Sequence, residues 1–149
     1  MKFRSILRNP VASKIGALVA LTGILGIMLL LTDRILWESL SSLHAYVLIL
    51  FVIVDFVVAG YVLLKGGKMA LTVATLWSGL RVIIQLANVS SATQMGLTYS
   101  QFADYLFDPF VLQEGNPPGV PAVFLDLIII CEVVVILVWL KARSSSKSA

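Results

Sequence analysis

Four apolar blocks separated by short polar stretches constrain this chain more than any other feature. They run approximately over 15–31, 43–64, 69–88 and 122–140. Each is near the roughly 20 residues a helix needs to cross a bilayer core. Only helices and closed barrels satisfy their own backbone in lipid. The blocks lack the period-2 alternation of barrel strands, so the spacing predicts helices. Only 13% of the 149 residues are Asp, Glu, Lys or Arg, against about one-quarter in soluble domains. That is too little charge to cover a soluble globule of this size. The reading is an all-α membrane protein, a four-transmembrane-helix bundle over 15–140. Basic tails at 1–14 and 141–149 flank it.

The first block follows Lys2, Arg4, Arg8 and Lys14, as the core of a cleavable signal would. The stretch after it, "LTDRILWES", offers no small-x-small cleavage site. The apolar run also exceeds the usual signal core of about 7–15 residues, so a retained first helix is expected.

Orientation follows from where the charges sit. Nine of the eleven Lys and Arg residues lie in the N-terminal tail, in the "KGGK" turn (Lys65, Lys68) and in the C-terminal tail (Lys141, Arg143, Lys147). The other two connections hold Arg34 and the acids Asp33, Glu38, Asp104, Asp108 and Glu114. The positive-inside rule then predicts a multi-pass protein of the cell membrane with both termini cytoplasmic. Basic tails beside a bilayer reflect topology and anionic lipid, so no nucleic-acid partner is expected.

Within the blocks, Gly16, Ala20 and Gly23 share one face of the first helix, a surface on which another helix can pack closely. "KGGK" makes a tight hairpin between the second and third helices, with adjacent glycines for a turn that needs positive φ. Trp139 and Lys141 mark an interfacial anchor at the end of the fourth. The connection 89–121 is the longest polar element. Its "SQFADYLFDPF" predicts a short interfacial helix capped by Ser100, with Phe102 and Tyr105 turned down onto the membrane. Phe102, Asp104, Tyr105 and Asp108 form the expected outer-surface contact for a basic partner, although plain solvation fits the same residues. Asn88-Val89-Ser90 matches a glycosylation sequon but abuts the bilayer.

Chemistry concentrates on four ionisable residues inside the spans, Asp55, Arg81, Asp126 and Glu132. Each costs roughly 2.5–3.5 kcal/mol at a helix centre on the insertion scale, so all should turn inward and find partners. At about 1.5 Å per residue, Arg81 falls roughly 4 Å outward of its span's midpoint and Asp126 roughly 7 Å outward. Asp55 and Glu132 fall roughly 2 Å inward of theirs. Asp55–Arg81 across the hairpin is the expected pair, with Asp126 the second choice. Asp126 and Glu132 are separated by about 120° around their helix and cannot both point at Arg81. Gln85 continues the Arg81 face toward the outer end. Three acids against one base leave a surplus that an apolar interior will not hold. Either an acid is protonated, or a cation or partner subunit supplies charge, or Asp126 reaches outer water.

Other sites are poorly supplied. Cys131 is the only cysteine and His44 the only histidine. Disulfides within the chain, bis-histidine haem and cysteine metal clusters are therefore out of reach. There is no Gly-rich phosphate loop. No cofactor or metal is expected, and no catalytic activity of the chain on its own. Expected partners are the lipid bilayer and other membrane subunits or further copies of the chain. The leading functional expectation is a non-catalytic accessory subunit of a larger membrane complex, of the respiratory or oxidative kind. The alternative is a small oligomeric transporter or channel for protons, cations or a small polar solute, using Asp55, Arg81, Gln85 and Glu132. A membrane enzyme using Arg81 and His44 on a quinone or lipid is the third class.

Overall fold

The computed structural model describes residues 9–32, 42–94 and 120–145. They form four helices: α1 (Pro10–Thr32), α2 (Ser42–Lys65), α3 (Lys68–Gln94) and α4 (Val120–Ser145). Each predicted block lies inside one helix. Among the described residues two segments, Pro10–Thr32 and Ala45–Lys65, are long and apolar enough to cross a membrane. α3 runs to Gln94, so the start of the expected 89–121 connection is helical. Residues 95–119 lie outside the described residues, and with them the expected interfacial helix and Phe102, Asp104, Tyr105 and Asp108.

Local chemistry sets the helix ends. The Asn9 side-chain oxygen accepts from the backbone N–H groups of Val11 (3.1 Å) and Ala12 (3.3 Å). It thereby satisfies donors that have no partner in the first turn. Pro10 follows, where its missing N–H costs nothing. At the other junction Gly66 takes φ 59° and its N–H donates to Val62 O at 2.9 Å, the left-handed cap that ends a helix. Gly67 O then accepts from Leu71 N at 3.1 Å and opens α3. The Asn9 amide also donates to Gly66 O at 2.8 Å, so the cap of α1 is fastened to the α2–α3 turn. Asn9→Ala is expected to lower stability by about 1 kcal/mol through the cap alone. Asn9→Asp keeps the cap acceptor and loses only the Gly66 bond, so its thermal midpoint should fall between the other two. Equal midpoints for Asn9→Ala and the parent would refute the assignment.

Two apolar clusters reveal the packing order. The first joins Ala12, Ile15 and Val19 of α1, Val58, Ala59 and Val62 of α2, Ala70, Leu71 and Ala74 of α3, and Val135 of α4. The second joins Leu25 and Leu29 of α1 with Ile128 and Cys131 of α4, and Leu48 of α2 packs on it. The early part of α1 thus meets the late part of α2, the early part of α3 and the late part of α4. The helices therefore alternate in direction. Lys14, Lys65, Lys68, Lys141 and Arg143 consequently gather, exposed, at the Gly66 end. Arg143 lies over the Trp139 ring there, 5.2 Å from its centroid.

α1 packs chiefly on α2 and α4, through the small residues that permit close approach in lipid. A methyl built on Gly16 would stand 2.7 Å from Leu63, and one on Gly26 would stand 2.6 Å from Val52 Cγ2. Gly23 backs onto Phe56 and onto Asp55 Cβ. The expected Gly16–Gly23 face is therefore turned to α2, and Gly26 extends it.

Candidate functional site

Between the two apolar clusters lies a polar layer of Thr22, Asp55, Ser78, Arg81 and Glu132, all buried. Thr22 satisfies its hydroxyl on its own helix, donating to Val19 O at 2.7 Å. Asp55, Arg81 and Glu132 meet across α2, α3 and α4.

Its centre is Arg81, 2% exposed, beside Asp55 at 0% and Glu132 at 1%. Arg81 Nη1 donates to Asp55 Oδ2. Trp77 Nε1 donates to the other oxygen, Oδ1, at 2.7 Å. Both Asp55 oxygens are thereby engaged. Two pairs of residues one helical turn apart produce this: Phe51 and Asp55 on α2 face Trp77 and Arg81 on α3. The Phe51 ring meets Trp77 edge-on, with centroids 5.6 Å apart and an 85° interplanar angle. Its face carries the guanidinium, with Cζ 5.3 Å from the centroid. A planar guanidinium serves carboxylates on two sides and an aromatic face at once, which a lysine ammonium cannot.

Glu132 closes the third side. Arg81 Nε lies 2.9 Å from Glu132 Oε1, an ion pair by distance. The N–H is not directed along that line, however, and neither atom has a hydrogen bond. Ser78 comes near enough to act on the Glu132 charge, yet its Oγ meets no partner in hydrogen-bond geometry. Gln85 Oε1 is also buried without a partner. Gln85 lies one turn beyond Arg81 on the same face.

The structure thus brings Asp55, Arg81 and Glu132 together and places Gln85 beside them along α3. Among the described residues, Arg81 pairs with Glu132 where Asp126 was the second choice. Asp126 is half-buried toward the opposite end of the bundle from Gly66. The Trp77 indole on Asp55 and the Phe51 face under Arg81 complete the network beyond the ionisable groups. The matched one-turn spacings on the two hairpin helices are the signal that points to them. Among the described residues no three His, Cys, Asp or Glu side chains come together as a metal site. Cys131 is buried as a free thiol in the second apolar cluster. Compared with known protein families, with curated proteins and with solved structures, the chain matches none.

Proposed function

We propose that the chain is a four-span integral membrane protein, with both termini and the Gly66 turn cytoplasmic, that serves as a non-catalytic subunit of a larger membrane complex. The observation that carries this reading is the inverted distribution of polarity. The charged side chains in the middle of the helices are buried. Large apolar side chains point outward on every helix: Leu21 and Ile24 on α1, Leu50 and Ile53 on α2, Leu80 and Ile83 on α3, Ile130 and Leu137 on α4. A soluble protein does the reverse, and an outer surface of this kind suits lipid and neighbouring helices. The five exposed bases at the Gly66 end support a cytoplasmic placement for that end. Within the bundle Asp55, Arg81 and Trp77 join α2 to α3, and the Arg81–Glu132 ion pair adds α4, which suits a structural part better than a reaction centre.

The expected results are retention in the membrane pellet after alkaline washing and co-migration with other membrane subunits after gentle detergent purification. Release by the wash would end the membrane reading. A stable monomer with no companion would end the subunit reading alone. A small oligomeric proton or solute pathway is the second reading, favoured by the buried polar atoms that have no partner. It predicts flux into liposomes that Asp55→Asn abolishes without loss of assembly.

A further inference from the structure

The polar layer contains two carboxylates and one guanidinium, so with every group ionised it carries one surplus negative charge. Exposures of 2% or less leave no surface on which a partner's cation could meet it. The described residues assemble no cation cage. Asp126 stands apart, half-buried, and does not enter the balance. An apolar interior holds an unbalanced charge only at large cost and takes up a proton instead.

Geometry says which carboxyl takes it. Asp55 accepts on both oxygens, from Arg81 Nη1 and from Trp77 Nε1 at 2.7 Å. An added proton there would weaken both bonds, because a neutral carboxyl is a poorer acceptor than a carboxylate. Glu132 Oε1 accepts no hydrogen bond, and the Ser78 hydroxyl beside it is likewise unengaged. A proton on Glu132 Oε1 therefore breaks no existing hydrogen bond, and the resulting O–H can turn to Ser78 Oγ, which accepts as well as donates. We propose that Glu132 is a proton-binding site, whose single exchangeable proton neutralises the Asp55–Arg81–Glu132 layer and arrives past Gln85 from the end of the bundle opposite Gly66.

The direction follows from the apolar cluster on one side of the layer and Gln85 on the other. On the Gly66 side all four helices contribute to a continuous apolar layer. On the other side, one turn beyond Arg81, α3 presents Gln85 with a buried, unengaged oxygen. A polar group with spare hydrogen-bonding capacity can hold the water that relays a proton. The groups facing Glu132 are Arg81 and Ser78 from α3 and Asp55 from α2, with Cys131 adjacent on its own helix. The described middle of α1 contributes the neutral Thr22. Uptake transfers one proton from water to the carboxylate, with no change in oxidation state. The proposal rests on the membrane-spanning reading and not on the subunit reading, and alkaline washing tests the former separately.

The experiment is infrared spectroscopy of the full chain in lipid nanodiscs at neutral pH, following the C=O stretch that protonated carboxyls show and carboxylates lack. The parent should show a buried carboxylic band that shifts slowly when H₂O is replaced by D₂O. Glu132→Gln should remove it and Asp126→Asn should leave it. A parent without the band, or a band that survives in Glu132→Gln, overturns the proposal. If Glu132→Gln does not fold, Glu132→Asp decides. There a band at unchanged frequency belongs to another carboxyl and also overturns it. Gln85→Leu should keep the band and slow its deuterium exchange severalfold, and an unchanged exchange rate would overturn the assigned route.

Discussion

Arg81→Leu is expected to lower the stability of the folded bundle by about 3–5 kcal/mol, the cost of leaving one side of a buried ion pair uncompensated. Two carboxyl groups, on α2 and α4, would then face each other across the space the guanidinium filled. Unfolding followed by circular dichroism in mixed mild and denaturing detergent measures the loss. Arg81→Lys should recover only part of it, because a point charge cannot serve Asp55, Glu132 and the Phe51 face together. Removing all three charges in the combined Asp55→Leu, Arg81→Met, Glu132→Leu variant should restore most of the stability, since packed apolar groups often replace a buried ionic cluster without penalty. A loss below about 1 kcal/mol for Arg81→Leu, the range of exposed pairs, would show that the layer does not hold the helices together.

The second large effect concerns α1. Gly26→Ala introduces a methyl 2.6 Å from Val52 Cγ2, and valine has little rotameric freedom to withdraw. Overpacking of this sort costs about 1–3 kcal/mol. The same change at Gly79 meets nothing within 4 Å and should be neutral or gain up to about 1 kcal/mol from helix propensity. The contrast between two identical substitutions isolates packing from intrinsic preference. If both shift the unfolding midpoint alike, α1 and α2 are not packed as closely as described.

The helices are legible in the sequence because their long apolar runs lack the period-2 alternation of strands and are broken by turn residues such as "KGGK". The Asp55–Arg81 pair is legible for a related reason, since a two-residue turn forces its flanking helices side by side. Glu132 is harder to assign. Periodicity gives the angle between Asp126 and Glu132 around α4, but not the rotation of α4 against α3. That rotation is set by where Val135, Ile128 and Cys131 find apolar neighbours. Depth along the axis favours Asp126 over Glu132, and the rotation of α4 overrides it. Trp77 lies one turn before Arg81 on the same face of α3. Its role as a donor to Asp55 emerges only once Phe51 and Asp55 are opposed to it. Likewise Gly26 is one small residue among several until Val52 is seen against it.

The placement of α1 between α2 and α4 has a consequence for the order of assembly. α1 is synthesised well before α4, yet α4 supplies one of its two flanks. α2 and α3 arrive between them, joined by a short turn, and bring Asp55 and Arg81 as a pair whose charges cancel. On the membrane-spanning reading proposed above, that hairpin inserts with its two buried charges balanced. Glu132 enters last and alone, carrying the charge that has no match. Closing the bundle against α1 and settling that charge are therefore one event, so a defect in α4 should leave a three-helix intermediate with its glycine face still open to lipid.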